Sequence, residues 1–446
     1  MKKSIIIMCA VFATLTANAQ YKYSARAMFY GGKILPLSKN LEQTAKGAVF
    51  GGEVDFEFQP TGEKEWEHIW NFPTWGIGVV GLDFGNPQIL GQALAIYPYL
   101  LVPAVKGNVF NLNFKFGAGM SFITKRWNSC DTLNGINAAT ANSTIGSIAN
   151  IYLNAGVNFE FACTDNFSIT ADLGYSHMSN GSILQPNGGL NILYGQIGAK
   201  YYFGHAPYTN FYKNPAFELP YDFCANITAS GGLRELYYKD NKIYPVASLH
   251  AGLTFKIANW YALGAGIDAF YDGVFDKRDL NDNSFKSKSF VRYYLPENQL
   301  ENKFRGGISI NNEFIIGKVT ALFDWGVYVY NPLKNYENPV LVNGKYEKSP
   351  SKPMFYKYNI DNEDGWNYFR LGIRYRIWDN IFISAAVKTH LQKAEMIEFG
   401  VGYLLPFAKN NKYGSTSKNP KGYYLFHFTE QEATEYPTEW QLKKKR

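Results

Sequence analysis

The sequence has 446 residues, a formal charge of +7 and only 18% charged side chains. Past its amino-terminal leader it offers no run of about 18 apolar residues, which excludes a helical membrane span. The modest basic excess lies partly in the terminal Lys443-Lys444-Lys445-Arg446 run and is no nucleic-acid footprint. Aromatic residues make up 17%, with 33 Tyr, 33 Phe and 41 Gly. This suits a membrane barrel with aromatic rims, although a soluble propeller or sandwich shares such a composition.

In chain order, Lys2 and Lys3 precede an apolar stretch from Ile5 to Leu15, and Ala17-Asn18-Ala19 provides a small-x-small cleavage site. Residues 1–19 therefore read as a signal peptide cut before Gln20, which implies export. Period-2 alternation then predicts strands at Tyr23–Ile34, Val49–Gln59, Trp75–Phe84, Ala93–Val102, Val109–Phe122, Ile148–Phe161, Phe167–His177 and Leu190–Phe203. The segment His205–Pro220, with Pro207, Pro215 and Pro220, reads as a linker. A second set follows: Cys224–Tyr238, Val246–Ile257, Trp260–Tyr271, Lys303–Ile316, Val319–Tyr330, Trp366–Trp378, Ile381–His390 and Ala394–Leu405. Most reach the roughly ten residues a tilted strand needs to cross the hydrocarbon layer.

The connections alternate in length. Ala258-Asn259, Gly317-Lys318 and Asp379-Asn380 are tight, whereas Asp272–Asn302 and Asn331–Gly365 are long and polar. Short periplasmic turns alternating with long external loops characterise outer-membrane barrels. Pro60–Thr74 interrupts the rule with a longer connection on the periplasmic side. The expected fold class is all-β, a transmembrane antiparallel β-barrel in the outer membrane. The domains are a barrel over 20–204, a linker over 205–221, a second barrel-like half over 222–407 and a tail over 408–446. Two tandem eight-stranded barrels and one larger barrel of about sixteen strands both satisfy the pattern. The halves resemble each other either as a diverged duplication or simply as membrane hairpins. Of the cysteines left after cleavage, Cys130, Cys163 and Cys224, the last two fall near the periplasmic rim and form the most plausible disulfide; three free thiols is the alternative. Their spacing suggests no metal site, and no cofactor is expected.

In the seventh strand Phe167, Ile169, Ala171, Leu173 and Tyr175 share one face, while Ser168, Thr170, Asp172, Gly174 and Ser176 share the other. The apolar face of a transmembrane barrel meets lipid, so His177 and Ser179 continue that face at the outer end. In the eighth strand Gln196 and Lys200 mark the lumen and leave Asn191 outside. His177, Ser179 and Asn191 can therefore meet on the outer wall at outer-leaflet depth. A Ser beside a His is the minimum for nucleophilic acyl transfer, with a third group to fix the imidazole tautomer. Asn180 and Gly181 are placed to stabilise the oxyanion. Polar residues at an interfacial rim are more often plain interface residues. A purely structural barrel, however, has no reason to gather these three in its apolar face.

The run His177-Met178-Ser179-Asn180-Gly181-Ser182-Ile183-Leu184-Gln185-Pro186-Asn187-Gly188-Gly189-Leu190-Asn191 resembles the active-site motif of the lipid A 3-O-deacylase (PagL) family. That motif is His-x-Ser-Asn, then Gln-Pro-Asn-x-Gly, then an acidic residue. Gly85-Asn86-Pro87-Gln88-Ile89-Leu90-Gly91 also resembles acyloxyacyl hydrolase-like relatives. Over about residues 21–203 the resemblance implies an eight-stranded barrel that hydrolyses an ester-linked acyl chain of lipid A in the outer leaflet. It makes Ser179 the nucleophile, His177 the base and Asn180 an oxyanion contributor, and makes lipopolysaccharide the partner. Asn191 stands where the family has its acid; its carbonyl fixes the tautomer but supplies no charge. In the second half, His390 and Lys388 are expected to face inward near Glu398, a hydrogen-bonded plug rather than a second site. The competing function is a non-enzymatic barrel for lipid binding, adhesion or small-solute passage.

Overall fold

A strand that alternates apolar and polar side chains satisfies all its backbone groups in lipid only when its sheet closes on itself. The computed structural model describes residues 21–36, 39–60, 65–127, 142, 144–203, 223–236, 242–277, 279–281, 293–359, 363–378, 380–390 and 393–407. The expected leader, linker and tail, and Cys130, lie outside these residues. The first barrel contains β1 (Tyr21–Ile34), α1 (Lys39–Thr44), β2 (Val49–Pro60), α2 (Glu65–Ile69), β3 (Thr74–Asp83), β4 (Gln92–Lys106), β5 (Phe110–Ile123), β6 (Ala149–Ala162), β7 (Phe167–Ser179) and β8 (Leu190–Phe203). It closes by pairing β1 with β8. The second contains β9 (Phe223–Glu235), β10 (Ile243–Ala258), β11 (Tyr261–Asp272), β12 (Phe304–Ile316), β13 (Val319–Tyr330), β16 (Asn367–Arg376), β17 (Ile381–His390) and β18 (Lys393–Pro406). There β18 closes on β9. A small hairpin, β14 (Val340–Val342) with β15 (Lys345–Glu347), sits in a long outer connection. Two closed eight-stranded antiparallel barrels replace the single larger barrel that the strand count also permitted.

Each wall is apolar outside and charged inside. Phe29, Phe50, Val54, Leu173, Leu193 and Ile197 are exposed on the first barrel, and Leu253, Ile267, Phe399 and Val401 on the second. Inside the first barrel Arg26 lies between Asp55 (3.0 Å), Glu57 (3.1 Å) and Asp172 (3.2 Å). Lys115 bridges Glu53 and Asp172, and Lys200 bridges Glu57 and Glu160. Tyr97 and Tyr99 donate to Glu53 and Glu57. The charges are paired and further hydrogen-bonded, the condition under which buried ions persist. They fill the lumen where a solute path would have to run.

The barrels touch at the rim carrying the short turns. Trp70 packs edge-on against Trp260, and its indole N–H donates to the Ile315 carbonyl at 2.7 Å. Trp66 packs on Trp75, and a Cβ on Gly317 would fall 2.9 Å from its ring. The anomalously long Pro60–Thr74 connection is thus the segment that brings Trp66 of α2 and the following Trp70 to the second barrel.

The expected Cys163–Cys224 disulfide is absent: both thiols are free. Cys163 is exposed beyond β6 of the first barrel, whereas Cys224 is buried inside the second beside Phe382 and Leu404. One thiol lies at the surface of the first barrel and the other in the interior of the second, so a shared rim does not bring them together.

Candidate active site

The site stands at the outer end of β7, where Ser179 still pairs with Ile151 of β6 and Met178 with Leu190 of β8. Along β7, Ser168, Thr170, Asp172, Ser176 and Met178 are wholly buried in the lumen, while Phe167, Ile169, Leu173 and Tyr175 are exposed. The alternation does not slip, so His177 and Ser179 emerge on the outer wall. Register brings the third residue: His177 lies opposite Asn191 of β8, two residue pairs beyond Tyr175 and Leu193 on the same face.

The side chains form a continuous chain of contacts. His177 Nε2 is 2.8 Å from Ser179 Oγ, and His177 Nδ1 is 2.7 Å from Asn191 Oδ1. An amide oxygen only accepts, so Nδ1 carries the proton and Nε2 presents its lone pair to the hydroxyl. The Tyr175 hydroxyl also donates to Asn191 Oδ1. Asn191 is 3% exposed, and its Nδ2 is buried without a hydrogen-bond partner among the described residues. A carboxylate here would accept both bonds and leave no orphan donor. Asp172 is no substitute, because it is held inside the barrel by Arg26 and Lys115.

Gly189 makes room for the imidazole. Its φ is +70°, and an added Cβ would fall 2.7 Å from His177 Cε1. Positive φ with close approach is a position suited to glycine.

Asn180 has a different position from the one its motif suggests. Its backbone N–H donates to Asn187 Oδ1 at 3.0 Å, and its amide donates to Ser147 Oγ at 2.8 Å and the Leu184 carbonyl at 2.9 Å. All three donors organise the loop from 180 to 189. Gly181, at φ +59°, carries a backbone N–H with no partner among the described residues. Further support comes from Asn142, which donates to the Ile89 and Lys125 carbonyls and accepts from Thr144 and Ile145. Thr144 in turn accepts from Gly188. The run from Gly85 to Gly91 therefore braces the loop through Asn142 and, among the described residues, makes no hydrogen bond to His177 or Ser179.

Sequence reasoning placed Ser179, His177, Asn191 and Gly181 at one rim but missed Tyr175 as a donor to Asn191. The signal was present, since Tyr175 shares the outer face two residues before His177. It also missed Ser147, Asn187 and Asn142, which act through loop geometry that alternation does not encode.

Among the described residues the second barrel has no such arrangement. His390 faces the lumen, 2.8 Å from the Tyr328 hydroxyl. The expected neighbour Glu398 instead engages Arg370 and Ser248, and Lys388 pairs with Glu395. A β-bulge at Lys388/Thr389 takes up Glu395 as an extra residue and turns it inward. Asp364, His390 and Glu395 lie close enough to hold a metal ion, but Arg305, Lys388 and Arg234 already neutralise Glu395.

Comparison with known proteins agrees with the halves. Residues 50–200 match the model of the lipid A 3-O-deacylase (PagL) family, and residues 223–341 and 354–408 match the acyloxyacyl hydrolase C-terminal domain. The chain belongs to the PagL and acyloxyacyl hydrolase family of outer-membrane barrels. Membership indicates an esterase-type hydrolase and an outer-membrane location. No curated protein matches. Among solved structures, the chain is similar to the outer membrane enzyme PagL at 15% identity, covering 41% of this chain and 99% of that one, with a TM-score of 0.24. It is similar to Neisserial surface protein A at 11% identity, covering 40% and 95%, TM-score 0.23. The Pseudomonas putida toluene transporter TodX is 10% identical over 89% and 91%, TM-score 0.15.

Proposed function

We propose that the chain deacylates lipid A in the outer leaflet, hydrolysing an ester-linked acyl chain through Ser179. The observation that carries this reading is the relay from Ser179 Oγ through His177 to Asn191 Oδ1, at 2.8 and 2.7 Å, on the outer wall. His177 Nε2 takes the hydroxyl proton as Ser179 Oγ attacks the ester carbonyl. The tetrahedral oxyanion is met by the Gly181 N–H, while Asn180 holds the loop that presents it. Collapse expels the sugar alkoxide, which takes the proton from His177, and leaves an acyl-Ser179. Water, deprotonated by His177, then releases the fatty acid. Asn191 keeps the tautomer correct throughout but lends no charge to the imidazolium, so the relay operates below the strength of an acidic triad. No step requires a metal or cofactor.

Solute passage, the competing reading, would need a route through lumens that buried ion pairs occupy in both barrels. The test is incubation of purified protein with lipopolysaccharide in detergent containing ¹⁸O-water. Ser179-dependent release of a fatty acid with one ¹⁸O in its carboxylate is expected; no release from correctly folded protein would refute the proposal.

A further inference from the structure

Besides the tryptophan contact at the short-turn rim, the second barrel touches the first beside the candidate nucleophile, on the loop that follows Ser179. Gln185 donates its backbone N–H to the Glu235 carboxylate at 2.7 Å, and the Glu235 N–H donates to the Ser182 carbonyl at 2.9 Å. The Ser182 hydroxyl donates to the Ala394 carbonyl at 2.6 Å. Glu235 ends β9 and Ala394 is the second residue of β18, the two strands that close the second barrel.

Packing repeats the pattern. Ile397 shares the outer face of β18 with Phe399 and Val401, which are 63% and 59% exposed, yet Ile397 is only 4% exposed. Gly181 packs directly on it: a Cβ there would fall 2.2 Å from Ile397 Cγ1. Gly181 and Ser182 both hold positive φ, +59° and +73°. For serine that is a costly conformation, which persists where surrounding contacts over-determine it. Here those contacts come from the other barrel.

We propose that the closing seam of the second barrel is a positioning element for the first barrel's active site, with Glu235 and Ile397 as its principal residues. They touch no reacting atom. They fix the 181–185 backbone so that the Gly181 N–H is held in place for the oxyanion. This gives the second barrel a task in hydrolysis although its own lumen holds no nucleophile relay among the described residues. The inference rests on the Ser179 reading above.

The test uses the full chain with Glu235→Ala, Glu235→Gln, Ile397→Ala and Ser179→Ala. Barrel folding is checked by heat-modifiable mobility on gels. Hydrolysis of a p-nitrophenyl ester in micelles gives kcat and KM, and a fluorophosphonate probe gives the labelling rate of Ser179. Glu235→Ala should lower kcat and labelling about tenfold with KM little changed, because a displaced donor weakens transition-state contacts more than binding. Glu235→Gln keeps a carbonyl to accept from Gln185 and should restore most of the rate. Ile397→Ala, which leaves the strand ladder intact, should lower kcat several-fold and carries the test if Glu235→Ala does not fold. Native kcat and labelling in a folded Glu235→Ala or Ile397→Ala protein overturn the inference alone. Absence of any Ser179-dependent activity in the unmodified chain overturns the functional reading and the inference with it.

Discussion

β7 and β17 are counterparts in the two barrels, each following a short turn and each running to a histidine at the outer rim. From Phe167 to His177 is an even number of steps, so His177 shares the outer face with its starting residue. From Ile381 to His390 is an odd number, and His390 turns into the lumen. One residue of strand length thus separates an imidazole facing lipid, with a serine hydroxyl at 2.8 Å, from one bonded to a buried tyrosine. The difference teaches that chemistry on a barrel is assigned by parity before it is assigned by residue type.

The sharpest way to break this comparison is to remove the nucleophile. Ser179→Ala or His177→Ala should reduce ester hydrolysis by about a thousandfold or more, since members of a relay act as a unit. Steady-state hydrolysis by matched folded preparations measures it. Next is Gly189→Ala, whose Cβ meets His177 Cε1 at 2.7 Å in a backbone that disfavours side chains. A displaced imidazole should cost on the order of a hundredfold in kcat. A near-native rate would mean that the ring does not need the place it occupies here.

Asn191→Asp sharpens the comparison in the other direction. It supplies a negative charge beside the imidazole and removes the buried unpartnered Nδ2. We expect kcat to rise roughly tenfold, a gain of about 1.4 kcal/mol in transition-state stabilisation. An unchanged rate would show that another group already stabilises the imidazolium. The smallest effect is expected from His390→Ala. Catalysis should stay close to native, while urea unfolding should show a loss of about 1–3 kcal/mol, because the Tyr328 hydroxyl, which still accepts from Lys388, loses the His390 nitrogen as a partner. A large loss of kcat there would erase the distinction drawn between the barrels.

Much of this was legible in the sequence because barrels enforce strict alternation. β8, β13 and β17 lie where period-2 reading puts them, and the parity of β7 places the outer-wall residues. What escaped was local and aperiodic. The Lys388/Thr389 bulge exchanged Glu398 for Glu395 as the neighbour of Lys388. The Asn180 amide reads in isolation as an oxyanion donor, but its bonds to Ser147 and Leu184 depend on how two loops fold together. The long Pro60–Thr74 connection broke the pattern for a reason no single strand contains, a tryptophan contact with the other barrel.

The central claim is that the outer wall of the first barrel deacylates lipid A through Ser179. Mass spectrometry of lipid A from Gram-negative cells expressing the native chain or its Ser179→Ala variant tests it most directly, with both proteins shown to be folded in the outer membrane. The account predicts loss of one ester-linked acyl chain with the native protein only. Identical lipid A from the two strains, or the same loss in both, would contradict it.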